Sequence, residues 1–327
     1  MSNERIVITR PLCIDVPARF RDEGYENIWF NDRDERLSRD ALLQCIRGAD
    51  AVLATPADTL INHEFFDAAG EQLKVVSNYA VGVDNIDLAE AARRGVRVGH
   101  TPHAVTEPTA DVAWLLMLGA ARRAYEGQQL VRSGQWTGVG PNQLLGQRLL
   151  GKTLFIVGAG RIGYATARRA IGWEMPILYH ARRQHEDFEV QPLNATRVTL
   201  EEGLRQADIV SLHVPLKEDT HHLIGKAEIA LMKPTAILVN TARGAVIDEA
   251  ALVEALRTRQ IASAGLDVFE HEPQLHAGLA DLINCELLPH LGSATFEDRA
   301  WMVDIAINNV LAVLRGTDMP HQYTDLE

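Results

Sequence analysis

The feature that most constrains this chain is a glycine loop, Gly158-Ala159-Gly160-Arg161-Ile162-Gly163, set directly after the apolar run Thr153-Leu154-Phe155-Ile156-Val157. A helix-prone stretch, Tyr164 to Ile171, follows it. In a strand–turn–helix context each glycine of G-x-G-x-x-G has a task. The first makes the tight turn, the second lets the backbone approach a pyrophosphate, and the third lets helix and strand pack closely. The helix N-terminus offers free N–H groups to the anion. A bare motif is weak, since glycine turns without a ligand are common; within continued βα alternation it predicts dinucleotide binding. The loop starts only at Gly158, so the domain that carries it does not open the chain.

At 327 residues the chain is long enough for two packed cores. In the first hundred residues, short β-prone runs at 5–9, 27–30, 51–54, 74–77 and 96–98 alternate with helix-like segments near 38–47, 62–69 and 88–94. After Gly151 the alternation restarts, with strands expected at 152–157, 175–179, 196–198, 209–213, 236–240, 262–266 and 285–288. Several are continuous apolar runs, such as Ala236-Ile237-Leu238-Val239, which parallel strands covered on both faces require. A late helix, Glu297 to Arg315, can return to the first domain and make the second an insertion. Between the two, Thr106-Glu107-Pro108 supplies a capping hydroxyl and an early proline for a helix expected over about 108–125. It is apolar around nearly its whole circumference and must be buried within a domain or against another subunit.

Composition removes several classes. A net charge of −12 argues against a nucleic-acid or anionic-membrane surface, and serves solubility. Cys13, Cys45 and Cys285 are scattered and odd in number, so neither a disulfide framework nor a zinc site is supported. The N-terminus lacks the apolar core of a signal peptide, and the longest apolar stretch, 112–121, is too short to span a bilayer. A cytoplasmic protein is expected. The pairs His100/His103 and His221/His222 hint at metal, but no carboxylate or cysteine falls at a ligand spacing, so no metal site is expected.

In open α/β sheets ligands collect at the carboxyl ends of the strands. Three such ends here carry Asn240-Thr241-Ala242-Arg243-Gly244, then Asp267-Val268-Phe269-Glu270-His271-Glu272-Pro273, then Pro289-His290-Leu291-Gly292-Ser293-Ala294. Singly, each has a bland reading as a salt-bridged arginine, an exposed polar turn or a satisfied loop histidine. Together, beside a dinucleotide loop, they supply a cation, acids and an imidazole on neighbouring strand ends.

These segments, with Asn78-Tyr79-Ala80-Val81-Gly82-Val83-Asp84-Asn85-Ile86-Asp87 and Thr106-Glu107-Pro108-Thr109-Ala110-Asp111, give the chain its resemblance. Over essentially its full length it resembles the D-2-hydroxyacid dehydrogenases, most of all the glyoxylate/hydroxypyruvate and 2-ketogluconate reductase branch. The resemblance implies an α/β fold of two doubly wound parallel-sheet domains. A Rossmann NAD(P)-binding domain, 103–291, would be inserted into a flavodoxin-like substrate domain, 1–102 and 292–327. It implies that the catalytic glutamate directly precedes the proline, which selects Glu272 over Glu270, and that Arg243, Glu272 and His290 act together. Arg243 offers a planar fork of donors to a carboxylate and ketone. An imidazole can exchange a proton near neutral pH, which makes His290 the natural donor, with Glu272 on its second nitrogen. Free N–H groups at Val81 and Gly82, by resemblance, hold the other side of the substrate carboxylate.

The cofactor set implied by the same resemblance is Thr109, Gly158, Gly160, Arg161, Ile162, Gly163, Ala181, Arg182, Arg183, Val214, Pro215, Thr220, Thr241, Ala242, Arg243, Asp267, His290 and Gly292. Asp267 would bind the nicotinamide carboxamide. An NAD site usually ends its second strand with an acid about 20 residues beyond the glycine loop. Here Ala181-Arg182-Arg183 stands in its place, which favours NADPH while leaving NADH possible. The segment Gly134 to Gly138 with Trp136 corresponds in relatives to an arm exchanged between subunits, although a packing tryptophan is nearly as good a reading. A homodimer through helix 108–125 is expected. The alternatives are a corepressor-like nucleotide sensor and a dehydrogenase of the same family acting on a different acid.

Overall fold

A computed structural model describes residues 3–56 and 59–324. They divide into two compact units, one running through Val105 and resuming at Ala294, the other Thr106–Ser293.

The first unit carries five strands: β1 (Ile6–Ile8), β2 (Ile28–Phe30), β3 (Ala51–Ala54), β4 (Val75–Asn78) and β5 (Arg97–Gly99). All pair in parallel in the order β2-β1-β3-β4-β5, the flavodoxin-like order. Both faces are covered. Val7, Val52 and Val76 face helices Arg39–Cys45 and His63–Ala69. Ile6, Ile8, Leu53 and Val75 face Val16–Asp22 and the late helix Phe296–Leu314, which does return to this sheet. Helix Val16–Asp22 was not anticipated. Its signals are an Asp15 cap that accepts from Ala18 N and a proline in the first turn, but seven residues are too few to display a period.

The second unit carries β6 (Leu154–Val157), β7 (Ile177–His180), β8 (Thr196–Arg197), β9 (Ile209–Leu212), β10 (Ile237–Asn240), β11 (Ser263–Leu266) and β12 (Cys285–Leu287). They pair in parallel as β12-β11-β10-β9-β6-β7-β8. Strand order therefore reverses between β6 and β9, where a doubly wound sheet opens its crevice.

The long helix differs from expectation. It spans Thr106–Arg122, so Thr106 is its first residue rather than its cap. It stops because Arg123 takes a left-handed conformation (φ 55°), and a separate helix, Ala124–Arg132, follows with no buried residue. Ala113, Trp114, Leu116, Met117, Ala120 and Ala121 are buried in the core of this same unit, against residues of β6, β7, β9 and β10. The helix thus spends most of its apolar circumference inside the unit, which weakens the inference of a dimer from surplus apolar surface on it. On the helix Leu115 is an exposed large apolar side chain, and Val131, Trp136, Val139 and Leu145 are exposed in the segment that follows. Trp136 is 50% exposed.

Candidate active site

The glycine loop follows β6 at the switch point. Gly158 has φ 105°, and a Cβ there would lie 2.7 Å from the His213 carbonyl after β9. Gly163 admits no Cβ either, since one would meet Gly158 O at 2.2 Å. Both glycines are demanded by the protein's own packing. Gly160 is not, because a Cβ there would meet nothing within 4 Å. It faces open space at the start of helix Arg161–Ala170, which has no capping side chain. Arg161 and Ile162 form its first turn. This is the cradle that an anion on free N–H groups requires. Around it, Val214 and Pro215 follow β9, and Thr220 Oγ1 donates to Pro215 O at 2.6 Å to close their turn. Burial pushes His213 down to about 3, so this imidazole is neutral.

Arg243 leaves β10 on a turn built by Asn240, whose side-chain oxygen accepts from Ala242 N and whose amide donates to Arg243 O. The Arg243 guanidinium donates to Ala242 O at 2.8 Å. The Thr241 hydroxyl is buried at the same strand end with no partner among the described residues, an orphaned group suited to a bound ligand. Gly244 brings this turn against the next: a Cβ would lie 1.8 Å from the Phe269 carbonyl carbon. The loop after β11 is held by Glu249, which accepts from Glu270 N at 2.8 Å.

Glu272 and His290 meet as the sequence implies, with His290 Nδ1 2.9 Å from Glu272 Oε2. The other carboxylate oxygen accepts from Phe269 N at 3.0 Å. Burial raises the Glu272 pKa, but the His290 hydrogen bond and charge, the Phe269 amide and Arg243 outweigh it, leaving the carboxyl below its ordinary value. His290 itself is half exposed and has a left-handed backbone, φ 54°.

Asp267 supports this histidine in a way the sequence did not disclose. Its carboxylate oxygens accept from Leu291 N at 2.6 Å and Gly292 N at 2.8 Å, and its carbonyl accepts from His290 N at 2.9 Å. Thr109 Oγ1 adds a bond to Gly292 O at 3.0 Å. Burial raises the Asp267 carboxyl above its usual range despite these amides. Asp267 is first a clasp on the His290 turn; contact with a carboxamide would be additional.

At the far edge, Ala181, Arg182 and Arg183 follow β7. Both arginines are exposed, and no hydrogen bond or ion pair among the described residues engages either side chain. Arg197, which sequence reading passed over, donates to the carbonyls of Ala181 and Arg182 at 3.0 Å each and so orients their turn. In the first unit, the carbonyls of Val81 and Gly82 are held by the His100 ring and by Asn78, while no hydrogen bond among the described residues engages their N–H groups. His100 is therefore a structural brace. His221 and His222 do acquire a carboxylate, Glu270, which lies too far along the chain for spacing to reveal.

A doubly wound sheet with a glycine loop at its switch point presents an arginine, a glutamate and a histidine on successive strand ends, an arrangement suited to an oxidoreductase. Residues 114–292 match the family of D-isomer specific 2-hydroxyacid dehydrogenases through its NAD binding domain, and the chain belongs to that family. It is 45% identical over 320 residues to a glyoxylate reductase of Thermococcus onnurineus, covering 97% of this chain and 94% of that one. It is 44% identical over the same length and shares to a glyoxylate reductase of Pyrococcus furiosus. Among solved structures it resembles an NADPH-dependent glyoxylate/hydroxypyruvate reductase of Sinorhizobium meliloti, in complex with NADP and malonate. There the TM-score is 0.84 at 30% identity, with 99% of this chain and 97% of that one covered. No helix among the described residues is long and apolar enough to cross a membrane.

Proposed function

We propose that this protein reduces small 2-keto acids, glyoxylate and hydroxypyruvate foremost and 2-ketogluconate as a larger candidate, to D-2-hydroxy acids with NADPH. The observation that carries the reading is the His290–Glu272 bond at 2.9 Å on a turn clasped by Asp267. With Nδ1 committed to Glu272, Nε2 is the nitrogen left to hold and deliver a proton to the keto oxygen. Glu272 fixes the ring and stabilises the imidazolium, as the acid of a hydrolase triad does. Arg243 grips the substrate carboxylate and polarises the ketone, and the N–H groups of Val81 and Gly82, unengaged among the described residues, are assigned to substrate binding. Gly158, Gly160 and Gly163, with the orphaned Thr241 hydroxyl, fit a dinucleotide, as do Thr109, Ala242 and Gly292 around them. When bound, the nicotinamide supplies the hydride that no side chain can.

The substrate domain is assigned to 1–102 with 292–327, and the dinucleotide domain to 103–291. A homodimer remains part of the proposal, now resting on the exposed apolar side chains that follow the long helix as well as on the helix itself. Light scattering that reports a stable monomer at micromolar concentration refutes it. Arg182 and Arg183, unengaged and exposed, are assigned to the 2′-phosphate. One such contact gives roughly a tenfold preference for NADPH, since about 1.4 kcal/mol is a decade.

The test is a panel of 2-keto acids assayed with both coenzymes. Turnover with NADPH, and reversed preference in the double variant Ala181→Asp, Arg182→Ala, are expected. Equal or better use of NADH by the parent overturns the coenzyme assignment. No turnover of any 2-keto acid overturns the enzyme reading in favour of a nucleotide sensor.

A further inference from the structure

Outside the Arg243–Glu272–His290 group lies a second cluster of donors in the same unit. His222 Nε2 is 2.8 Å from Glu270 Oε1, and the His221 and His222 rings stack with centroids 4.0 Å apart. One donor atom from each of His221, His222 and Glu270 lies within 4.8 Å of the others. Two imidazoles and a carboxylate form a donor set suited to borderline divalent cations, and it leaves positions open for water. His221 is exposed, and no hydrogen bond among the described residues engages its ring, so a cation can enter from solvent.

The backbone around these donors is fixed rather than loose. His222 has a left-handed conformation, φ 51°, and its N–H donates to Ala245 O at 2.8 Å, two residues beyond Arg243. Glu270 N donates to Glu249 Oε1 at 2.8 Å. His222 therefore ties the Arg243 turn, through its backbone, to the Glu272 loop, through its imidazole. The reduction proposed above makes no use of any of the three side chains.

We propose that His221, His222 and Glu270 form a binding site for a divalent transition-metal ion of the Zn²⁺ or Ni²⁺ class, and that its occupation slows the enzyme. To bind through Nε2, the metal must displace the hydrogen that bridges His222 and Glu270. That hydrogen moves to Nδ1 or to solvent, and no bond to carbon and no oxidation state changes. The Glu270 carboxylate then answers to the metal instead of to His222, and the loop that presents Glu272 to His290 shifts with it. Binding weakens as pH falls, because protons compete for the imidazoles. The inhibitory half of the proposal rests on the reductase reading; the binding half does not.

The experiment titrates ZnCl₂, and separately NiCl₂, calorimetrically into the full chain after chelator treatment and removal of the chelator. One site of micromolar affinity is expected, weakened at least tenfold in His221→Ala and in Glu270→Gln and unchanged in His63→Ala, which alters a histidine elsewhere. No binding, or binding that both cluster variants leave untouched, overturns the site whatever the protein catalyses. Keto-acid reduction is then followed with and without ZnCl₂. Wild type should slow and recover with EDTA, while His221→Ala, equal to wild type without metal, should keep its rate. Equal inhibition of both would place the metal on His290 and Glu272 and overturn the inhibitory half. If no keto acid is turned over, the reductase reading fails while the calorimetric result still decides the site.

Discussion

The glycine loop after β6 and the histidine turn after β12 lie on the same sheet and are held by opposite means. The loop is shaped by backbone against backbone: Gly158 on the His213 carbonyl and Gly163 on Gly158 O. The turn is shaped by side chains that accept or donate: Asp267, Glu272 and Thr109. At Gly158 and Gly163 the first arrangement is intolerant of a single added methyl, and it is indifferent to pH. The second has no comparable backbone crowding and answers to protonation. A site that must approach a large anion closely is built by removing atoms, and a site that must move a proton is built by charges.

The largest expected effect breaks the second region. His290→Ala should lower kcat/KM about 10²–10⁴-fold while the dissociation constant for NADPH, read by fluorescence titration, stays near wild type. A joint loss of both would mean that the turn and the loop do not work separately. Arg243→Lys retains charge but not the planar fork, and kcat/KM should fall by about 2–3 kcal/mol, roughly 30–150-fold. A value near wild type removes Arg243 from the substrate grip.

The first region is sharpened by two alanines. Gly158→Ala combines a left-handed backbone with a clash against a carbonyl, and should destabilise the protein by more than about 2 kcal/mol. Gly160→Ala meets nothing, so stability should change by about 1 kcal/mol or less, while dinucleotide affinity falls about tenfold. Equal melting temperatures for the two variants would show that the loop's glycines are interchangeable and that the backbone argument is wrong.

The smallest effect is in pH. Glu272 is held below its ordinary pKa, so its contribution to stability is present above that ordinary value and is lost as pH falls through the lowered one. Asp267 has the opposite sign: its raised carboxyl opposes folding at neutral pH, and that opposition fades as pH falls. Glu272→Gln should flatten the acid limb of stability in urea melts between about pH 3 and 7. It should also move the pH–rate profile of reduction to lower pH, because the imidazolium loses its anion. An unmoved profile would remove Glu272 as the partner of His290.

Strands were the most legible part of this chain, since buried parallel strands need runs such as Ile237-Leu238-Val239 that hold no polar residue on either face. The Arg243, Glu272 and His290 positions were legible through resemblance, and the proximity of Glu272 to His290 followed. Helix Val16–Asp22 was hidden by its shortness, and the break at Arg123 by the fact that a left-handed arginine leaves no compositional mark. The Asp267 clasp and the meeting of Glu270 with His222 were illegible for another reason. Both depend on which strand ends adjoin, and that is a property of the sheet order rather than of any local pattern.

Helix Phe296–Leu314 covers Ile6, Ile8, Leu53 and Val75 of the first sheet. On the ribosome those strands are made early, and the helix that seals them emerges only after the whole of Thr106–Ser293. At about 5–20 residues per second that interval is roughly 10–40 s. During it a face of isoleucine, leucine and valine on a parallel sheet stands open to other nascent chains. The second unit, by contrast, holds every strand and covering helix in one unbroken stretch and can close as soon as it is made. Chaperone dependence should therefore be concentrated in the first unit, although the glycine loop, Arg243, Glu272 and His290 all lie in the second.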